Sequence, residues 1–159
     1  MSYQAVILTV SDSCAAGTRT DTSGPAIRAM LENVGFAVQA MQTIPDEEGQ
    51  ISAAIVHACD ILQADLVVTT GGTGLSPCDV TPEATLAVLD REIRAIPVAM
   101  WVEGLKSTPR AMLSRAVAGT RGHTLVLNVP GSEKAARENL GAVVATLDHA
   151  LRMLAGGGH

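Results

Sequence analysis

Aromatic residues are almost missing from this chain, which has one Phe, one Trp and one Tyr in 159 residues. Single-stranded nucleic acids are held largely by stacking bases on aromatic rings, so that class of partner is not expected. An excess of positive charge is missing too: the net charge is −5, which argues against a duplex-binding surface as well. No run approaches the roughly 20 apolar residues that a membrane span needs, because polar or glycine residues interrupt every candidate. Cysteine is scarce and odd in number. Cys14, Cys59 and Cys78 show no C-x-x-C spacing, which argues against a disulfide framework and a zinc site. Cys59 falls on an apolar helical face and reads as a small core residue. His57, His123 and His149 lack metal-ligand spacing, and no Ser-His-Asp or Cys-His arrangement can be traced. Met1-Ser-Tyr-Gln4 enters an apolar run with no basic stretch before it, so no signal peptide is read and a cytoplasmic location is expected.

What the chain does have is apolar mass, 47% hydrophobic against 17% charged. Its length suits one core, and a single domain over 1–159 is expected, with 156–159 as a frayed tail. Charge is unevenly spread. From Gly104 to Arg137 there are six basic residues (Lys106, Arg110, Arg115, Arg121, Lys134, Arg137) and one acid, Glu133. A positive field inside an acidic protein fits a small anionic ligand, and a solvated basic helix face explains it equally well.

Strand-like and helix-like periods alternate along the chain. Gln4–Val10 is a β-branched apolar run. Pro25 opens a segment with Ile27, Met30, Leu31 and Val34 on one helix face, stopped by Gly35. Phe36–Ile44 reads as a second strand, closed by the turn at Pro45–Gly49. Ile51, Ala54, Ile55, Ala58, Cys59 and Leu62 make a further helical face. Asp65–Thr70 is a buried strand running into Gly71-Gly-Thr-Gly74. Thr81 is a plausible N-cap with Pro82 at the first helical position, and that helix is expected to run to about Arg91. Residues 92–119 read as mixed helical and irregular, with Pro97 and Pro109 as breakers. Thr124–Val129 is another strand. A last helix carries Leu140, Val143, Val144, Leu147, Leu151 and Leu154 on one stripe.

The alternation predicts an α/β fold of three layers, a mainly parallel sheet with helices on both faces. In such sheets ligands sit beyond the carboxyl ends of the strands. The loops Ser11–Gly24, Pro45–Gly49, Gly71–Val80 and Pro130–Ser132 should therefore meet on one rim.

Each loop has a chemical reading and a plain one. Gly71, Gly72, Thr73 and Gly74 can bring backbone N–H groups close to a phosphate, or simply turn the chain. Neither nucleotide fingerprint is complete: Pro77 stands where the dinucleotide motif wants a small residue, and no Gly-Lys-Ser/Thr ends the run. Asp46 and Asp79 could share a Mg²⁺ with phosphate and water, or serve as turn and capping residues. Ser11 and Asp12 end the first strand. Pro130, Gly131 and Ser132 lead into the last helix, where Ser132 can cap a helix start that also suits an anion. Ser114 and Arg115 add a hydroxyl and a two-pronged phosphate donor.

Seven stretches in order resemble the molybdenum-cofactor biosynthesis family of Mog and MoaB proteins, which includes the G domains of gephyrin and its plant counterpart. They are Leu8-Thr-Val-Ser-Asp-Ser13, Asp21-Thr-Ser-Gly-Pro25, Ile44-Pro-Asp-Glu47, Thr69-Thr-Gly-Gly-Thr-Gly74, Asp79-Val-Thr-Pro-Glu-Ala-Thr85, Met112-Leu-Ser-Arg-Ala-Val-Ala-Gly119 and Leu127-Asn-Val-Pro-Gly-Ser132. Any one is weak; seven in register are specific. The resemblance implies adenylylation of molybdopterin by ATP with Mg²⁺ assisting, and a later molybdate insertion by another protein. It implies that Gly71–Gly74 cradle phosphate and that Asp46 and Asp79 hold Mg²⁺ or orient the reacting phosphates. Ser11, Asp12, Ser114, Arg115, Pro130, Gly131 and Ser132 would line the pterin and phosphate pockets. It also implies a homo-oligomer, a trimer or a hexamer. Some MoaB-type members have the fold without an assured catalytic role, so a non-catalytic pterin- or nucleotide-binding assembly module is the alternative, and an ATP-hydrolysing relative a third. Two places depart from the family pattern. Ser76-Pro-Cys78 stands where many relatives carry an Arg before the Asp, and Val98-Ala-Met-Trp101 is locally unusual, with Trp101 suited to an interface or to a pocket floor.

Overall fold

Apolar residues at successive positions, rather than alternate ones, mark the inner strands of this protein, so both faces of the sheet must be covered. The computed structural model describes residues 2–157. Its chain order is β1 (Gln4–Val10), α1 (Asp12–Ala15), α2 (Ser23–Asn33), β2 (Ala37–Ile44), α3 (Glu48–Val56), β3 (Leu66–Thr70), α4 (Thr81–Leu86), β4 (Arg91–Glu92), α5 (Ala95–Leu105), β5 (Ala118–Arg121), β6 (Thr124–Val129), α6 (Glu133–Val143) and α7 (Leu147–Leu154). The six strands form one sheet in the order β2-β1-β3-β6-β5-β4. Pairings β1–β2, β1–β3 and β3–β6 are parallel, whereas β5–β6 and β4–β5 are antiparallel.

Alternation along each strand sorts the side chains into two layers. Ala5, Ile7, Leu66, Val68, Leu125 and Leu127 face α2, α6 and α7, packing on Ile27, Leu31, Leu140, Val143, Leu147 and Leu151. Val6, Leu8, Val67 and Val126 face the other way, onto Ile51 and Ile55 of α3 and Ala84 of α4. Cys59 is buried in that second layer, as its helical spacing suggested, and burial pushes its thiol up to about 11. The three-layer arrangement is the one the sequence pattern predicts. Among the described residues no helix is long and apolar enough to cross a membrane.

Several elements depart from expectation. The helix at Thr81 ends at Leu86, not near Arg91. From there the chain turns to the sheet edge, where Asp90 N–H donates to the Thr120 carbonyl and Arg91–Glu92 pairs with β5. Residues 92–119 are mixed helical and irregular as expected, with α5 and a 3₁₀ turn at Pro109–Leu113, and only their ends belong to β4 and β5; Pro97 sits within the first turn of α5 without breaking it. Gly119 explains why so short a strand pairs there, because a Cβ at this position would run into the Arg91 carbonyl. α3 passes into a wider-wound turn over His57–Ile61. The final helical stripe is split by a tighter 3₁₀ turn at Val144–Thr146, although Leu147 and Leu151 still reach the core. In the expected tail, Gly156 and Gly157 are described and lie beyond α7, and residues 158–159 lie outside the described range.

Candidate active site

Register brings the carboxyl ends of the parallel strands level: Val10 pairs with Ile44, Thr9 with Thr70, and Thr70 with Val129. The loops that follow these strands must emerge side by side. Two cavities open there, of about 470 and 350 Å³. The larger is lined by Gly72, Thr73, Gly74, Asp79, Ser114 and Pro130–Ser132, together with Thr108, Arg110, Glu138 and Asn139. The smaller is lined by Ser11, Asp46, Gly71, Gly72, Asp79, Gly131 and Ser132, together with Cys14 and residues 19–23. Gly72, Asp79, Gly131 and Ser132 belong to both walls.

The glycine loop is shaped by close approaches. Gly71 and Gly72 have φ of +100° and +68°, a left-handed conformation that suits residues without a Cβ. A Cβ on Gly71 would overlap the Val10 carbonyl, and one on Gly72 would overlap Thr81 Oγ1 and come within 3.2 Å of Asp46 Oδ1. Thr81 does not cap its helix. Its hydroxyl donates instead to the Gly71 carbonyl at 2.9 Å. Thr85 donates to the Thr81 carbonyl at 2.7 Å, and Asn128 Nδ2 donates to Thr85 at 3.0 Å and to Thr69 at 2.8 Å. This buried network hangs α4 and the glycine loop on the ends of β3 and β6. Among the described residues, the N–H groups of Gly72, Thr73 and Gly74 make no hydrogen bond to protein.

Asp46 and Asp12 hold each other. Asp12 N–H donates to Asp46 Oδ2 at 3.0 Å, and Asp46 N–H donates to Asp12 Oδ1 at 2.7 Å. Asp12 itself is exposed and lines neither cavity. Burial pushes the Asp46 carboxyl above its ordinary range, the Asp12 N–H bond opposes this, and the charges of Asp12 and Asp79 raise it further. Asp79 Oδ2 accepts from Ser76 N–H at 3.0 Å. Asp46 thus ties Oδ2 to the neighbouring Asp12 loop and Asp79 ties Oδ2 to its own loop, and among the described residues each Oδ1 is without a protein donor. Such a pair suits a magnesium ion that keeps water and phosphate in its shell. Among the described residues no group of three or more His, Cys, Asp or Glu could hold a metal.

Ser132 caps α6 as the sequence suggested, with Oγ accepting from Ala135 N–H at 3.2 Å. Arg115 departs from expectation. It lines neither cavity, and its guanidinium is spent on the Gly74 and Asp79 carbonyls and on Glu83, at 2.8, 2.7 and 2.6 Å. A free phosphate donor is not what the geometry offers there. The cations that do line the walls are Arg19 and Arg110. Trp101 lines neither cavity; it is half-buried, with Nε1 unpartnered. Cys78 is exposed on the loop before Asp79.

Asp21 was missed as an individual site residue, although its motif was noted. It lines the smaller cavity and gathers three donors: Thr9 at 2.7 Å, Ser23 at 3.2 Å and Gly24 N–H at 3.0 Å. Glu138 and Asn139 had no local signal, because they lie one to two turns into α6 and face the cavity only through the fold.

Known proteins share this arrangement. Gephyrin of Dictyostelium discoideum is 40% identical over 158 residues, which are 93% of this chain and 22% of that protein. The chain thus spans less than a quarter of that longer relative. A molybdopterin adenylyltransferase of Helicobacter pylori (strain J99) is 36% identical over 154 residues, 94% of this chain and 86% of that one. The crystal structure of the molybdopterin biosynthesis enzyme MoaB of Thermus thermophilus superimposes with a TM-score of 0.92 at 47% identity, covering 98% of each chain. Residues 6–149 match the family described as "Probable molybdopterin binding domain", and the chain belongs to that family.

Proposed function

We propose that this chain is a molybdopterin adenylyltransferase, with 1–159 acting as one domain. The observation that carries the reading is the shared wall: two cavities, each large enough for part of a substrate, meet at Gly72, Asp79, Gly131 and Ser132. Two substrates that must exchange a phosphoryl-type group need adjoining sites with their phosphates at the junction. The relative of similar length named molybdopterin adenylyltransferase supports the same choice.

In the proposed reaction a terminal phosphate oxygen of molybdopterin attacks the α-phosphorus of ATP. A new P–O–P bond forms, and the bond from the α-phosphorus to the bridging oxygen breaks, releasing pyrophosphate. The free N–H groups of Gly72–Gly74 and the capped start of α6 donate to phosphate oxygens. Arg19 and Arg110, one in each cavity, add positive charge. Asp46 and Asp79 would hold Mg²⁺, which when bound neutralises phosphate charge and orients the leaving pyrophosphate. Those two carboxylates also fix where the phosphates can sit, since an anion approaching them without a cation is repelled. ATP should therefore bind more tightly with Mg²⁺ than without it, which calorimetric titration checks; equal affinities remove the metal role.

A homo-oligomer is part of the proposal. Val98, Val102 and Leu105 of α5 and Met112 and Leu113 of the next turn are 45–65% exposed, an apolar surface suited to a second copy. The adenylylated pterin would pass to a molybdate-inserting protein, and the setting would be cytoplasmic. The decisive experiment follows pyrophosphate release from ATP and Mg²⁺ with and without molybdopterin. Release that requires molybdopterin supports the transferase. Binding without release points to an assembly module, and release without the pterin points to a hydrolase; either result refutes the proposal.

A further inference from the structure

Arg115 is half-buried beside the junction of the two cavities, and its guanidinium is engaged by three protein acceptors. Nε donates to the Gly74 carbonyl at 2.8 Å and Nη2 to the Asp79 carbonyl at 2.7 Å. Nη1 and Nη2 reach the two Glu83 oxygens at 2.6 and 3.3 Å. The Arg115 backbone N–H adds a bond to the Thr73 carbonyl at 2.8 Å. Gly74 and Asp79 are the two ends of one loop, and Glu83 lies in the first turn of the helix after it.

Little else restrains that loop. Its middle residues 75–78 are exposed, and its internal bonds are Ser76 N–H to Asp79 Oδ2, Asp79 N–H to the Ser76 carbonyl, and Cys78 N–H to Ser76 Oγ. Among the described residues, the only hydrogen bonds from residues 74–79 to the rest of the protein are the two carbonyl bonds from Arg115. Asp79 presents its carboxylate to both cavities, so its aim depends on where the loop ends are held.

We propose that Arg115 is a positioning residue: its planar fork pins both ends of loop 74–79 and so aims the Asp79 carboxylate at the reaction centre, while Glu83 holds the fork in plane. A lysine cannot do this. Its ammonium is a point charge on a flexible stem and cannot span three separated acceptors in a fixed plane. A phosphate-binding arginine, by contrast, would raise KM when lost and would be improved by freeing it from Glu83.

The kinetic part of the test rests on the adenylyltransferase reading; the exchange part does not. Amide hydrogen exchange is measured on the free full-length wild type and on Arg115→Gln, Arg115→Lys and Glu83→Gln, each first checked for a cooperative melt. Exchange at Ser76 and Asp79 is expected to speed up about tenfold or more in both Arg115 variants, with β3 amides unchanged, because only the local opening is affected. Steady-state adenylyl transfer should show kcat down on the order of 10- to 100-fold in both, with KM values little changed. Glu83→Gln should show the same pattern, more weakly. The proposal is overturned if exchange at Ser76 and Asp79 is unaltered, if KM rises while kcat holds, or if Arg115→Lys restores the wild-type rate. Should the wild type form no adenylylated pterin, the proposed function fails, and the exchange result alone still decides the clamp.

Discussion

Asp46 and Asp79 face the same junction but are held in opposite ways. Asp46 stands two residues beyond β2 and is locked by a reciprocal pair of hydrogen bonds with Asp12, at 3.0 and 2.7 Å, between loops that leave neighbouring strands. Asp79 stands nine residues beyond the end of β3, on an exposed loop tied to the fold by a guanidinium that is 36 positions away in sequence. The first carboxylate is placed by backbone and sheet register, the second by one side chain. Damage to the second should therefore spread from distant substitutions, whereas the first should yield only to changes in its own two loops.

The sharpest way to break both at once is Gly72→Val. The new side chain would meet Thr81 Oγ1 and press toward Asp46, from a φ of +68° that a branched residue tolerates poorly. Turnover should vanish. The strain of a left-handed non-glycine residue costs roughly 1–2 kcal/mol, and the overlap with the buried Thr81 hydroxyl adds to it, so the protein should fold with a clearly lower Tm. A folded variant with normal turnover would make the loop a mere turn.

Asp79→Asn is the next largest effect. Asparagine keeps an oxygen to accept from Ser76 N–H but removes the charge. Losing one electrostatic contact to a transition state costs about 10²–10³ in rate, or roughly 3–4 kcal/mol. Stability measured by denaturant should move by less than about 1 kcal/mol, since the loop's hydrogen bond survives. An early-melting variant whose folded fraction is fully active would make Asp79 structural.

Asp46→Asn sharpens the contrast through pH. The folded protein holds the Asp46 proton more tightly than the unfolded chain, chiefly because the group is partly buried. The associated stability is present below the ordinary value of 3.8 and is lost as pH rises through the raised folded value. At neutral pH the ionised group therefore burdens the fold. Asp46→Asn should melt no lower than wild type at pH 7, and possess no such advantage below the ordinary carboxylate range, while its turnover falls. A variant that loses stability at pH 7 would contradict this.

The smallest effect belongs far from the rim. Arg121 pairs with Asp60 at 2.7 Å and donates to the Val88 carbonyl at 2.9 Å, near the amino ends of the strands. Arg121→Gln should lower Tm slightly and leave turnover unchanged, because partly exposed pairs contribute little. A turnover loss comparable to that expected for Arg115→Gln would show that any arginine matters, not the clamp.

The parallel half of this molecule was readable from periodicity alone, because strands buried on both faces leave unbroken apolar runs such as Leu125-Val-Leu127. The antiparallel edge was not. Ala118-Gly-Thr-Arg121 is a strand because it pairs with β6 on one side and, in the room Gly119 leaves, with Arg91–Glu92 on the other, which is a pairing rather than a pattern. The four rim loops were legible by topology, and the placement of Asp46, Asp79, Gly72 and Ser132 followed. The bonds that Arg115 makes to the glycine loop were not legible, for a physical reason. Two of its three partners are backbone carbonyls, which carry no mark in a sequence, so a basic residue near a glycine loop looks like a ligand contact. The hydroxyl of Thr81 misled in the same way: it looks like a cap and serves as a strut.

Two differently anchored carboxylates serving one reaction centre should behave as a single unit. Single-turnover formation of adenylylated molybdopterin, followed by mass in wild type, Asp46→Asn, Asp79→Asn and the double variant, tests this most directly. Groups acting as a unit are strongly non-additive, so the double variant should be little slower than the poorer single one. Losses that multiply in full, or a wild-type rate in either single variant, would contradict it.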